Sequence, residues 1–371
     1  MGSPDNKIKI GIVAGEASGD QLGASLMDNL VSLNPHIEFI GVGGSLMEER
    51  GLSSFFDMKK ISVMGLIEPL LNLKELLSLR RKLKEFFIKE EIDLFIGIDS
   101  PDFNLPISRY LKRNNIKTIQ YVGPSIWAWR QGRIRTIEKS VDKVLTLFPF
   151  ESKAYEGSSV RIDFVGHPLA HSIKEINKYD KRSNKKIVFM PGSRKSEILN
   201  HGRVFLETAR KLKDEYKGYQ FHMPLTDESH IELIEGLNEE EWIEVTLGNA
   251  KEVLREASLG FVTSGTASLE ASLSGTPVVV AYRTNWFSYM IIKPLLKVDN
   301  ISLPNLLAKK EVLPEVIQGD VSSKNLYLAF KRMEENYLNC LGEFKDIHKS
   351  LLGDKGPKTA SYSVLETLHD E

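Results

Sequence analysis

Two short stretches place glycine, hydroxyl side chains and a single charged group at the end of an apolar run. The first, "IVFMPGSRKSEI" (187–198), reads as a strand, a Pro-Gly-Ser-Arg turn and a helix start. Gly192 and Ser193 let the backbone approach a ligand, and the helix N-terminus offers free N–H groups with a partial positive charge. Arg194 is placed to fork onto phosphate oxygens, unless it is only a solvated arginine after an ordinary turn. The second, "FVTSGTASLEASLSGTP" (261–277), sets Ser264, Gly265 and Thr266 before a helix and Glu270 one turn inside it. A capping acid belongs three residues after its cap, which from Ser264 is Ala267 and from Thr266 is Leu269, so capping does not explain Glu270. Its carboxylate could accept hydrogen bonds from two ribose hydroxyls, or simply face solvent. The second Ser-Gly-Thr is punctuation, with Gly275 ending the helix and Pro277 preceding the next strand. Neither loop is a G-x-x-x-x-G-K-[ST] or G-x-G-x-x-G motif, so kinase, ATPase and dehydrogenase chemistry lose support. A nucleoside diphosphate, and with it a nucleotide sugar, fits both loops.

These loops need a scaffold of parallel strands. Apolar runs at 7–14, 37–44, 92–99, 117–123 and 142–149 alternate with amphipathic stretches such as 21–33 and 70–89. That alternation predicts an α/β fold with helices on both faces of a parallel sheet. The stretch 172–186 is polar and charge-rich, a linker composition, and a second alternating series begins at "KKIVFMPGSR". The expectation is two Rossmann-like, doubly wound domains facing a central cleft, residues 7–174 and 175–340, followed by a helical tail, 341–371. Ligands of such sheets bind beyond the carboxyl ends of the strands, where the motifs fall.

Composition narrows the class. With 371 residues, 42% hydrophobic and 27% charged, the chain is long enough for two folded domains and is not disordered. A net charge of −1 gives no whole-chain argument for a nucleic-acid partner. The single cysteine, Cys340, allows no disulfide framework or cysteine metal site. The start lacks a secretory pattern, and no apolar run reaches the roughly 18 residues that span a bilayer, so a cytoplasmic protein is expected.

The stretches "GEASGD", "GVGG", "VMGLIE", "GIDSPDFN", "YVGPSIWAWRQGR", "FVGHPL", "MPGSR", "SGTASLEA" and "SLPNLLA" occur in this order. Together they closely resemble the lipid-A-disaccharide synthase family over nearly the whole chain. "GIDSPDFN" and "YVGPSIWAWRQGR" are specific, whereas "SGTASLE" is shared loosely by many two-domain glycosyltransferases. Ala17 and Ser100 are conservative variants within the motifs. The resemblance implies the GT-B glycosyltransferase architecture. It implies transfer from UDP-2,3-diacylglucosamine to 2,3-diacylglucosamine 1-phosphate, forming a β-1,6 disaccharide with inversion. It further implies no metal or other cofactor, and work at the inner face of the Gram-negative inner membrane. A homodimer is compatible with it. The same-fold rival is a UDP-N-acetylglucosamine 2-epimerase, and the rival of another class is a non-catalytic nucleotide-sugar-binding module.

Inverting transfer needs a base for the attacking hydroxyl and stabilisation of the leaving phosphate. The resemblance puts the base on Asp99, directly after a strand, although Asp-Ser-Pro-Asp is also good turn chemistry. Asp102 is its understudy or orienting neighbour, and His167 in "VGHPL" is a rival base or a packed histidine. Trp127, Trp129, Arg130, Arg133 and Arg135 interleave aromatics with cations and suit a phosphorylated lipid-sugar. Ser18 and Asp20, beside Gly15 and Gly19, would form an acceptor wall, and Asn305 would add a polar contact or start a helix. Leu66, Leu70, Leu73 and Leu77 repeat at helical spacing ahead of Arg80, Arg81, Lys82, Lys84 and Lys89. Such a stretch either lies in an anionic membrane surface or packs on a core. The segment 285–296 is a second apolar, aromatic candidate.

Overall fold

The computed structural model describes residues 7–62, 73–124, 126, 131–173, 181–236, 242–263, 265–284 and 300–369. Trp127, Trp129, Arg130, Ser264, Leu66, Leu70 and the segment 285–296 therefore lie outside the described residues.

The first sheet contains β1 (Ile8–Ala14), β2 (Ile37–Val42), β3 (Ser53–Ser54), β4 (Leu94–Ile98), β5 (Lys117–Tyr121), β6 (Lys143–Thr146) and β7 (Arg161–Phe164). Their spatial order is β3-β2-β1-β4-β5-β6-β7, with parallel pairing throughout. Side chains alternate across the sheet, so β1 feeds both faces. Ile10, Ile12 and Ala14 join Leu26, Met27 and Leu30 of the helix Ala17–Leu33. Val13 points the other way, into a cluster with Phe87, Phe95 and Ile107. Burial on both faces is why these runs read as continuous apolar stretches.

The second sheet contains β8 (Lys186–Met190), β9 (Gln220–Leu225), β10 (Glu244–Leu247), β11 (Leu259–Thr263), β12 (Val278–Tyr282) and β13 (Glu315–Ile317). Its order is β10-β9-β8-β11-β12-β13, again parallel. Phe261 stacks on Phe189 at 4.9 Å and on Phe330 at 5.2 Å, fixing the helix Ser323–Glu335 to the sheet.

Each sheet has one point where chain order reverses, between β1 and β4 and between β8 and β11. Loops leaving two such neighbours diverge to opposite faces and open a crevice between them. "GEASGD" follows β1 and "DSPDFN" follows β4, while "PGSR" follows β8 and "SGTASLE" follows β11. Each pair of motifs is thus brought together by strand order.

The chain divides into two compact units, Met1–Pro168 with Leu352–Glu371, and Leu169–Leu351. This differs from the expected boundary at 174/175 and from a separate tail at 341–371. The tail is split because its two helices carry different partners. Tyr337, Cys340, Phe344 and Ile347 of the helix Tyr337–Ser350 are buried, and the Tyr337 hydroxyl accepts the Lys181 N–H at 3.1 Å. The helix Thr359–His369 instead adds Ala360 and Val364 to the β1 core. It also neutralises Lys143, which is 1% exposed and reaches Glu366 at 2.7 Å and Asp163 at 3.0 Å. A lysine buried that deeply would be strongly destabilising without those acids, so the tail helix completes the first unit.

Candidate active site

In the first unit, Asp99 and Ser100 take left-handed conformations in succession, with φ of +49° and +40°. Non-glycine residues avoid that region at a cost of about 1–2 kcal/mol each, so the turn has to be held. Two fully buried amides hold it. Asn104 Nδ2 and Gln120 Nε2 donate to the Asp99 carbonyl at 2.9 and 3.0 Å, and the Asp99 N–H donates to Tyr121 O at 2.9 Å. Gly97 leaves room for both amides, since a Cβ there would lie 2.8 Å from Asn104 Cβ and 3.1 Å from Gln120 Oε1. Sequence reading missed Asn104 and Gln120, one inside a helix and one inside a strand. A long amide inside an otherwise buried strand is the signal that could have found Gln120.

Burial raises the Asp99 carboxyl above the ordinary aspartate range, and the Ser100 N–H, which bonds the charged form, offsets this in part. A carboxylate made more basic by desolvation suits proton abstraction. The "GEASGD" loop abuts this turn, because a Cβ on Gly15 would lie 2.3 Å from Ser100 Oγ. Ser18 is exposed at the start of its helix. Asp20 departs from expectation. It is 5% exposed and accepts the N–H groups of Gly44 at 2.9 Å, Leu46 at 3.1 Å and Met47 at 3.1 Å. Its oxygens are spent on the N-terminus of the helix Ser45–Glu48, so it shapes the crevice rather than contacting a ligand. Asp102 is ion-paired with Arg133. His167 is 7% exposed, with its ring 5.3 Å from that of Phe148, as a packed histidine would be.

In the second unit the two loops differ in how their helices are capped. Glu197 accepts the N–H groups of Ser193 at 2.9 Å and Arg194 at 3.3 Å, so these amides are occupied by the chain itself. The Arg-x-x-Glu spacing is the acid half of a capping box and was legible in the sequence. Gly192, at φ +124°, is required because a Cβ would sit 2.3 Å from Glu197 Cβ. The Arg194 guanidinium is exposed and lies 3.8 Å from Glu197 Oε1. The helix Thr266–Leu273 begins after Gly265, at φ +122°, with no side-chain cap, and both Gly265 and Thr266 are exposed. Glu270 is half-buried, its carboxyl is raised by desolvation, and among the described residues no hydrogen bond reaches it.

The second Ser-Gly-Thr is structural. Gly275 is left-handed at φ +72°, and Lys181 donates to Ser274 O at 2.6 Å and Thr276 Oγ1 at 3.2 Å. Asn305 is fully buried, contrary to an acceptor contact. Its side chain accepts the Val312 and Leu313 N–H groups and donates to Leu313 O and Glu315 Oε1, which uses all its capacity. His201 was also missed. Its Nε2 accepts the Arg283 N–H at 2.8 Å, so Nδ1 carries the proton and donates to Glu197 O, tying the Arg194 helix to the end of β12. Among the described residues, no three His, Cys, Asp or Glu side chains gather where they could hold a metal ion, and no helix is long and apolar enough to cross a membrane.

Two parallel-sheet α/β units with loops at both switch points define the fold shared by GT-B glycosyltransferases and nucleotide-sugar epimerases. The chain superposes on a UDP-GlcNAc 2-epimerase from Neisseria meningitidis bound to UDP-GlcNAc with a TM-score of 0.65. That match has 12% identity and covers 97% of this chain and 99% of that one. The glycotransferase of kitacinnamycin gives 0.64 at 15% identity, covering 97% and 98%. These likenesses show the fold alone. Residues 10–350 match the family model described as lipid-A-disaccharide synthetase. Lipid-A-disaccharide synthases from Idiomarina loihiensis and Pseudomonas putida are 43% and 41% identical, each over 97% of this chain and 98% of the relative. The chain belongs to the lipid-A-disaccharide synthase family and is a glycosyltransferase of lipid A disaccharide synthesis; the epimerase alternative is a match of fold only.

Proposed function

We propose that this chain transfers the diacylglucosamine of UDP-2,3-diacylglucosamine to the 6-hydroxyl of 2,3-diacylglucosamine 1-phosphate, releasing UDP. The observation that carries the reading is the Asp99 turn at a switch point: two buried amides hold its main-chain carbonyl, and its carboxyl is desolvated. In the proposed step Asp99 takes the proton of the attacking hydroxyl. The hydroxyl oxygen bonds the donor anomeric carbon from the face opposite the phosphate, and the bond from that carbon to the phosphate oxygen breaks. The electron pair leaves with UDP, stabilised by Arg194 and the free N–H groups at Thr266, while Glu270 holds the ribose.

Membrane association belongs to the same reading. In the helix Leu73–Lys89 the core side is Leu76, Leu79, Leu83 and Phe87. Leu77, from the apolar stripe singled out in the sequence, is instead 51% exposed, with Arg81 and Lys82 exposed beside it. An apolar residue flanked by cations suits the surface of an anionic bilayer.

The test is to incubate purified protein with both substrates and weigh the product, alongside Asp99→Asn. The variant is expected to lose at least about 10²-fold in turnover while binding UDP normally. Near-normal turnover would remove Asp99 from the mechanism, and a wild-type protein that binds UDP without forming disaccharide would leave a binding module.

A further inference from the structure

A cavity of about 450 Å³ opens in the first unit, on the helix Pro101–Lys112 whose N-cap region carries Asp99. Its wall bears four cations, Lys84, Arg109, Arg113 and Arg133, against one carboxylate, Asp102. That carboxylate is already paired with Arg133. The Nε atoms of Arg109 and of neighbouring Arg80 are buried, and among the described residues neither has a hydrogen-bond partner. Arg80 lies over the Phe103 ring at 5.5 Å, and Lys84 over Tyr110 at 5.4 Å. Aromatic faces hold these cations in place without neutralising them.

Cations gathered in one wall repel one another, and burial makes three of those in and beside it harder to charge. Arg80, Lys84 and Arg133 all lie below their ordinary pKa values for that reason, and Arg80 lowers Lys84 further. The fold keeps this unfavourable cluster with too few acids to balance it. An anion with several acceptor oxygens would relieve it, and guanidinium forks match phosphate geometry.

We infer that the cavity bounded by Lys84, Arg109, Arg113 and Arg133 binds a phosphate ester carried on a lipid. This rests on the functional reading above in its choice of ligand, and it deepens that reading. The phosphate is either that of the acylated glucosamine 1-phosphate acceptor or that of an anionic headgroup beside it. Exposed Leu77, two helical turns before Lys84, and exposed Tyr110 supply the apolar margin that a lipid-borne phosphate needs.

The test uses the full chain and the double variant Arg109→Gln/Arg113→Gln. Two arms separate the sources: the KM for the acceptor in detergent solution, and flotation with phosphatidylglycerol vesicles against phosphatidylcholine controls. Losing each guanidinium is expected to weaken one of these by about tenfold or more, leaving donor KM and UDP affinity unchanged. A raised acceptor KM alone assigns the acceptor phosphate, and lost flotation alone assigns a headgroup. The Arg109→Lys/Arg113→Lys pair should recover only part, because charge returns without the fork. If the glutamine pair melts below wild type, single Arg113→Gln, on an exposed side chain, replaces it. Both constants within twofold of wild type in a variant that melts normally would overturn the proposal. Absence of disaccharide from the wild type would sink the functional reading instead, and the vesicle arm would still report on the cavity.

Discussion

Removing the amide of Asn104 should slow catalysis without touching the nucleotide. Asp99 and Ser100 in left-handed geometry cost about 2–4 kcal/mol together. Against this stand the bonds from Asn104 and Gln120 to the Asp99 carbonyl, the Asp99 N–H to Tyr121, and the Asn104 N–H to Ser100 O. At about 1 kcal/mol each, four bonds roughly match the strain, so loss of one tips the balance. Asn104 Nδ2 also approaches Ile98 O at 3.3 Å and Val13 O at 3.4 Å, tying β4 to β1. Asn104→Ala should therefore destabilise the protein by about 2–4 kcal/mol, combining lost bonds and a small cavity. Turnover should fall because the carboxylate is no longer aimed, with UDP affinity unchanged. Urea unfolding, steady-state turnover and UDP calorimetry on one preparation measure all three. Gln120→Leu should behave alike, and the double variant should fall short of the summed effects because both amides serve one carbonyl. A variant destabilised by this amount that turns over like wild type would refute the claim that the turn aims the base.

UDP affinity should fall by about 1–3 kcal/mol in each of Arg194→Ala and Glu270→Ala by calorimetry, since each leaves charge-assisted bonds unmade; wild-type affinity in both would move the nucleotide out of the second unit. Turnover should fall on acidification at a higher pH than an ordinary aspartate would give, because the active form of Asp99 is the deprotonated one and burial raises its pKa; an unshifted acid limb would point to another base. Glu151, buried and pushed up to about 7, keeps its proton in the folded state where the unfolded chain has lost it. Stability should accordingly decline by up to about 3 kcal/mol as pH rises from about 4.5 to 7, and Glu151→Gln should flatten that slope in denaturation curves. Leu77→Ser should reduce flotation with anionic liposomes while leaving the melting temperature within a few degrees, whereas Leu76→Ser on the core side should lower melting sharply.

The strands and both turn-to-helix loops were legible because their signals are local: an apolar run, a glycine, a hydroxyl, a helix start. Pairing of the loops at the switch points was not, since it depends on β1 lying between β2 and β4, a choice made across more than eighty residues. The tail was misplaced for a related reason. Lys143 reads as an ordinary surface lysine until Glu366 and Asp163 are seen to close over it. Asp20 and Asn305 were misread because a polar residue beside glycines looks the same whether it serves a ligand or its own backbone.

What separates the two cases in three dimensions is satisfaction. Asp20, Glu151, Glu197 and Glu315 are all spent on backbone N–H groups of their own unit. A ligand hydroxyl approaching those bonded oxygens would have to compete with a native bond. Among the described residues, Glu270 is desolvated without any such donor and Asp99 has the Ser100 N–H alone. Leaving a carboxyl dry and under-bonded costs stability that neither crevice recovers from the protein alone. Hydroxyl donors on a bound sugar or ribose would supply the missing bonds. Asp99 and Glu270 are therefore the acids at which substrate should make a large difference to stability. UDP should raise the melting temperature of the wild type more than that of Glu270→Gln, and an equal rise in both would show that Glu270 stays unfinished even in the complex.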